Sequence, residues 1–264
     1  MARFIQGRKI GAGTYASVYE AMDTHKNNVV ALKKIVLNEK EGLPSTALRE
    51  ISILKLLNHP NIIGIEQVIH REDFLIMVLE FAEYDLIKYI KKFGNKICKY
   101  TIINQLVAGV ANMHSHNVIH RDLKPANILM TRENILKIAD FGLARVVSSM
   151  DASYSTEVIT LWYRPPELFE GVSMYSFEVD IWSLGCIIYE ILMEEPLFPG
   201  DNAEEMIEMF KKLNLSAIEK NMVKNNNISG VYAKLVTKCL NKHPSCRITA
   251  NEIILLLENN KKFK

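Results

Sequence analysis

Cysteine is scarce in this chain and falls into no framework: the residues at 98, 186, 239 and 246 make no Cys-x-x-Cys pair, and the last two have no His pair at finger spacing. That pattern argues against a zinc site or a disulfide scaffold and for a reducing compartment. Long hydrophobic runs are missing as well. Nothing approaches the roughly 18 apolar residues that span a bilayer, and Met1 to Ile10 contain no uninterrupted apolar stretch of the secretory kind. The expected location is the cytosol, the nucleus or both. Neither sign of charge is in excess, since 32 Lys and Arg face 30 Asp and Glu, so no field points to nucleic acid or a membrane as partner. No internal repeat is evident. What is present is a chain of 264 residues, 48% hydrophobic, able to bury one large core or two unequal ones and far from a disordered composition.

The stretch His120-Arg-Asp-Leu-Lys-Pro-Ala-Asn127 carries the most chemistry. Phosphoryl transfer needs a carboxylate to orient an attacking hydroxyl, a cation for developing charge and an oxygen for a metal. Asp122, Lys124 and Asn127 are candidates for those tasks in that order. A polar turn with a helix cap is the competing reading of the octapeptide taken alone.

Near the amino terminus, residues 4 to 35 read as strands separated by turns. Gly11 and Gly13 lie in one turn, where missing side chains let backbone approach a phosphate. Lys33 follows on the strand Ala31-Leu32-Lys33, a context in which a lysine reaches the α and β phosphates of a nucleotide. A third glycine of the full pattern is replaced by Ala16. Next, Pro44 and Ser45 suit a helix start, and Asn58-His59-Pro60 suits its end. Helical spacing puts Ala47, Glu50, Leu54 and Leu57 on one face, so a carboxylate stands within an apolar stripe. A buried carboxylate needs a cation, for which Lys33 is the candidate; the other reading puts Glu50 at a solvated margin beside Arg49 or Lys55. Leu48 and Ile51 fall off the stripe, leaving apolar surface for a partner.

Pro-Ser-Thr-Ala-Leu-Arg-Glu at 44 to 50 resembles the signature helix of the cyclin-dependent protein kinases, with Leu48 in place of the usual Ile. The likeness covers nearly the whole chain. Gly-rich turn, strand Lys33, helix Glu50, His120-Arg121-Asp122 and Asp140-Phe141-Gly142 follow in the family's order. It implies an α+β, bilobal kinase fold in a single domain spanning 1–264, with a β-rich lobe over 1–81 and a larger helical lobe over 82–264. The implied reaction moves the γ-phosphate of ATP, with Mg2+, to Ser or Thr. Asp122 would then act as base, Lys33, paired with Glu50 of the catalytic set, and Lys124 would serve the phosphates, and Asn127 and Asp140 would hold the metal. Ile10, Gly11, Gly13, Val18, Ala31, Lys33, Glu80, Ala82, Asp85, Leu129 and Asp140 would line the nucleotide site, with Leu79 as gatekeeper. Asp85 has a second reading as N-cap of the helix that follows it. The 44–50 helix would dock a cyclin-like subunit that rotates Glu50 onto Lys33.

The resemblance further implies regulation. Ser155 stands where the family carries an activating phosphate, and Arg49, Arg121 and Arg145 match its phosphate-binding arginines. Thr160 would hydrogen-bond near Asp122 and Lys124. Val158-Ile159 with Arg164 would shape a pocket for proline after the target residue. Phosphate on Thr14 or Tyr15 would inhibit. No Thr-x-Tyr pair appears in the loop, which disfavours the mitogen-activated group. Pro165-Pro166-Glu167 replaces the usual Ala-Pro-Glu, and Glu167 is expected to pair with Arg247. Between Phe198-Pro199-Gly200 and Arg247-Ile248 the chain has little room for the family's insert, which puts docking of its small adaptor in doubt. Lys220 to Asn227 reads as a surface loop, and Asn259 to Lys264 as a frayed tail. A pseudokinase that binds a cyclin-like partner without catalysis is the alternative, motivated by Ala16, Ala126, Pro165 and the shortened lower lobe.

Overall fold

In the computed structural model the described residues are 3–13, 16–37, 44–147, 161–224 and 228–261. The amino-terminal part is an antiparallel sheet in the order β1-β2-β3-β5-β4, built from β1 (Phe4–Ala12), β2 (Ala16–Asp23), β3 (Asn28–Val36), β4 (Ile65–His70) and β5 (Phe74–Glu80). Strand β3 is central, and its side chains alternate between faces. Val30 and Leu32 join Ala21 and Val78 in a small cluster on one side, whereas Ala31 and Ile35 enter the main core on the other. Lys33 lies between those two and shares their face.

Helix α1 (Ser45–Leu56) packs on that face. Ala47, Glu50, Leu54 and Leu57 are buried along the expected stripe. Ile51 is also buried, at 9% exposure, so the expectation that it offers apolar surface elsewhere does not hold. The apolar stripe is wider than a single row because the helix is covered from two sides. Leu48, at 52%, does stand out in solvent.

Past the sheet come β6 (Tyr84–Asp85), α2 (Leu86–Phe93) and α3 (Lys99–Ser115), then the short strands β7 (Val118–Ile119), β8 (Ile128–Met130), β9 (Leu136–Ile138) and β10 (Arg145–Val146). Strands β6, β8 and β9 pair, as do β10 and β7. The remaining helices are α4 (Pro166–Phe169), α5 (Glu178–Met193), α6 (Ala203–Lys212), α7 (Leu215–Lys224), α8 (Gly230–Cys239) and α9 (Ala250–Lys261). Every residue of α5 from Val179 to Leu192 is buried, as its all-round hydrophobicity demands. Trp182 stacks on Phe198 and meets Phe210 edge-on. Gly185 lets α8 come close, since a Cβ there would lie 2.7 Å from the Cβ of Cys239.

Two expectations about the carboxyl-terminal third are corrected. Lys220 to Lys224 are the last turn of α7, not loop, because Met222 is fully buried and holds the helix down. Asn259 to Lys261 likewise belong to α9. Among the described residues no helix is long and apolar enough to cross a membrane.

Candidate active site

The sheet contributes a lysine and the helix beside it a carboxylate. Lys33 Nζ donates to both Glu50 oxygens at 2.7 Å and reaches Asp140 Oδ1 at 3.3 Å. Glu50 is 3% exposed, so the solvated-margin reading is excluded. The pair is formed in the chain by itself, without a partner to rotate the helix. Burial opposes the Lys33 ammonium, but Glu50 and Asp140 outweigh it and lift its pKa above the ordinary lysine value. For Glu50 burial prevails over Lys33 and raises the carboxyl. Asp140 goes the other way: burial favours its neutral form, yet Lys33 and His120 overcome that and keep it ionised.

Asp140 adopts a left-handed conformation, φ 64° and ψ 71°, ahead of the helical turn Phe141–Leu143. That conformation costs a non-glycine residue about 1–3 kcal/mol, and it turns the carboxylate toward Lys33. The main chain ties this segment to the catalytic-type loop, for Ala139 N–H donates to Asn127 O at 2.9 Å. In that loop Lys124 Nζ donates to Asp122 Oδ1 at 3.0 Å, and Asn127 Nδ2 donates to Asp122 O at 2.8 Å and Oδ2 at 2.9 Å. Lys33, Glu50, Asp140, Asn127, Asp122 and Lys124 thus form one set of contacts from four sequence segments, joined between Asp140 and Asn127 through the Ala139 backbone.

Beneath the loop lies a carboxylate that sequence reasoning passed over. Asp180, 1% exposed in the first turn of α5, accepts the N–H groups of His120 at 2.8 Å and Arg121 at 2.9 Å, and His114 Nε2 lies 3.1 Å from it. Burial pushes its carboxyl up, but the hydrogen bond and charge of His114 win and hold it below the ordinary range. These contacts brace Arg121, whose φ is 70°. His120 Nε2–H donates to Ala139 O, 3.0 Å away, and the ring lies edge-on to Phe141. The signal available in sequence was an acidic residue inside an otherwise apolar helix.

The predicted nucleotide residues fall along the sheet edge and the strand pair below it. Gly11 faces Val18, and Val18 faces Lys33, in one row across three strands. A Cβ at Gly13 would meet nothing nearer than Ala16 O at 3.9 Å. The protein's own packing therefore does not require glycine there, which leaves room against the backbone. Ile10 is exposed, Ala31 is buried opposite Leu79, and Glu80 and Ala82 close β5 and lead toward β6. Asp85 faces Leu129 across β6 and β8, and it caps α2 by accepting the Lys88 N–H at 2.8 Å. The capping role of Asp85 is thus present.

Arg49 donates to Gly142 O at 3.1 Å and Arg121 to Leu143 O at 2.7 Å, so both guanidinium groups meet consecutive carbonyls. Arg121 also bonds the Tyr175 hydroxyl at 3.0 Å. Arg145 follows two residues on, and its Nη1 is buried with no hydrogen-bond partner among the described residues. Glu167 holds Arg247 by two bonds of 2.6 and 2.7 Å, both groups buried, which joins α4 to the lobe. Thr14, Tyr15, Ser155, Val158, Ile159 and Thr160 lie outside the described residues.

The protein kinase domain family matches residues 4–255 of the chain. The chain is also 50% identical over 262 residues, 98% of each sequence, to a protein of Encephalitozoon cuniculi (strain GB-M1) described as a probable cell division protein kinase.

Proposed function

The chain belongs to the protein kinase family, in its cyclin-dependent branch, and from that premise we propose that it is an active Ser/Thr kinase that prefers proline after the target residue. The carrying observation is the unbroken set of contacts from Glu50 through Lys33 and Asp140 to Asn127, Asp122 and Lys124. Lys33 stands beside the carboxylate that aims it, and Asp122 beside Lys124 and Asn127, which favours catalysis over a binding-only scaffold. The whole chain is read as one kinase domain whose lobes meet near residue 81.

Family membership implies use of ATP with a divalent metal, and the donor set fits Mg2+. Among the described residues no three His, Cys, Asp or Glu could hold a metal by themselves. Mg2+ suits such a place, since it is bound through one or two protein oxygens together with phosphates. Asp140 supplies an ionised, half-exposed carboxylate. Asn127 spends its N–H groups on Asp122, and its oxygen is what it has left to give. When bound, the ion supplies neutralisation of phosphate charge. Lys33, aimed by Glu50, holds the α and β phosphates. Asp122 orients the substrate hydroxyl and accepts its hydrogen bond, and Lys124 turns from Asp122 to the transferring group. The backbone of Glu80 and Ala82 takes adenine, and Asp85 reaches the ribose.

Regulation follows the same reading. A cyclin-like subunit docks on the exposed Leu48 side of α1, and phosphate on Ser155 engages Arg49, Arg121 and Arg145, with the unpartnered Arg145 nitrogen in its support. Phosphate on Thr14 or Tyr15 opposes ATP. Thr160 bonds near Asp122, the role is cell-cycle or transcription control, and the place of action is the cytosol or nucleus. The test is transfer of labelled phosphate from ATP by the chain with a matching cyclin, on paired Ser-Pro and Ser-Ala peptides. Transfer favouring Ser-Pro and lost in Asp140→Asn is expected; no transfer by the native complex overturns the reading. Phosphopeptide mapping of the protein from growing cells should find Ser155, and Thr14 or Tyr15, modified; a map lacking them removes the regulatory part.

A further inference from the structure

Residues 61 to 64 precede β4 in sequence, yet they are bonded to the helical part. Asn61, buried, donates through Nδ2 to Gln105 Oε1 on α3 at 2.9 Å and to Leu136 O at 3.1 Å. Ile63 N–H donates to Ile138 O, and Ile138 N–H to Asn61 O, both at 2.9 Å. Gly109 makes the approach possible, because a Cβ there would fall 2.7 Å from Ile138 Cδ1 and 3.1 Å from Asn61 O.

Glu80, the last residue of β5, is tied to this anchored segment. Its N–H donates to Gly64 O at 2.9 Å, and its Oε2 accepts the Gly64 N–H at 3.4 Å. Its Oε1 pairs with Lys137 Nζ of β9 at 2.7 Å. Lys137 is 7% exposed, and an ammonium so buried requires a counter-charge. The residue before Glu80 is still part of the sheet, since Leu79 pairs with Ala31 on β3 and Ile65 on β4. Glu80 too is within the sheet, facing Val30 on β3, so it is the residue at which the sheet is joined to the helical part, and a pivot between the two would fall at Glu80.

We propose that the Lys137–Glu80 pair is a positioning device that fixes this pivot and so sets how fast adenine nucleotide leaves. The inference rests on the reading that adenine binds the backbone of Glu80 and Ala82. Two backbone groups held in place bind without an ordering cost, and release of nucleotide needs the lobes to part. The pair resists both the loosening of those groups and the parting of the lobes. It takes no part in moving the phosphoryl group.

The experiment follows release of a fluorescent ADP analogue, by stopped flow with Mg2+, from the full chain and from Lys137→Met, Glu80→Gln and the double variant. Lys137→Met keeps the length of the buried stem. Release about five- to tenfold faster in each single variant, with the double no faster than either, is the expected result for two coupled neighbours. The KM for ATP should rise while the KM for peptide stays as in the native chain, a split that general loosening of the fold would not produce. Exchange of the two charges, Glu80→Lys with Lys137→Glu, should return release toward the native rate. If Lys137→Met does not fold, Glu80→Gln decides the matter, its side chain being a third exposed. Native ADP binding with release within twofold in Glu80→Gln overturns this inference and leaves the nucleotide reading intact. Failure of the native chain to bind ADP overturns both.

Discussion

Lys33 hangs from a strand and is aimed by a carboxylate on a separate helix, whereas Asp122 stands on a loop whose backbone is gripped from below by the buried Asp180. The first arrangement is an ion pair between side chains of two elements that meet face to face. It exists only while α1 lies against β3, so a shift of that helix breaks it without unfolding anything. The second is made of hydrogen bonds from main-chain N–H groups to a carboxylate within the most buried helix of the molecule. It cannot be lost without leaving buried donors unpaired, each costing about 1–3 kcal/mol. The cleft thus has an adjustable half and a rigid half.

Breaking the rigid half should have the largest effect. Asp180→Ala removes the acceptor for His120 and Arg121 and the partner of His114, and should lower unfolding free energy by about 3–5 kcal/mol as well as abolish transfer. Denaturant titration and phosphate transfer measured together would check it. Asp180→Asn, which keeps one acceptor oxygen, should fall between. If Asp180→Ala left stability within the range of surface changes, the distinction between the halves would collapse.

Lys33→Met attacks the adjustable half. Transfer should fall by about 10²- to 10³-fold, as when a preorganised charge-stabilising group is removed. Its stability loss should be smaller than that of Asp180→Ala, because Glu50, already pushed toward its neutral form by burial, can take a proton. Equal destabilisation in the two variants would contradict this.

A smaller change lies at the outer face of α1. Leu48→Ala should weaken binding of a matching cyclin by about 1–2 kcal/mol, the share of a leucine side chain lost from an interface. Its melting curve should stay within about 0.5 kcal/mol of native, because Leu48 is exposed in the chain alone. Isothermal titration with cyclin and a melt of the free chain would separate the two.

The smallest expected effect concerns another side-chain pair in the sheet. Arg3 forks onto Asp23, with its Nη2 at 2.7 Å from Oδ2, and this hydrogen bond holds the Asp23 carboxyl down to about 2, against an ordinary value of 3.8. A carboxyl lowered on folding adds stability that is present above its unfolded value and is lost as pH falls through its folded one. The melting temperatures of native and Asp23→Asn chains should therefore differ at pH 6 and converge between about pH 4 and pH 2. A constant gap across that range would show that the charge of Asp23 plays no part.

The candidate site residues were legible from the amino-acid order because each lies in a short segment whose residue types suit a stated task. Lys33, Asp122, Asn127 and Asp140 are of this kind, and so is Glu50, a carboxylate in an apolar stripe that demands a cation. The broad architecture was legible for a related reason: strand alternation and helical stripes are local patterns. The misread places show where local pattern stops. Lys220 to Lys224 are polar in composition, yet the burial of Met222 makes them helix, tertiary packing overriding propensity. Ile51 is covered because α1 meets neighbours on two sides, which its own periodicity does not record. Asp180 reaches partners 59 and 60 residues away, and Lys137 reaches Glu80 across two separate sheets. The sequence alone determined which groups could react and, outside places such as Lys220 to Lys224, which segments would be strand or helix. Only the tertiary structure decided what grips the His120–Asn127 loop and where the sheet is joined to the helical part, since those depend on buried partners that meet only after distant segments have packed.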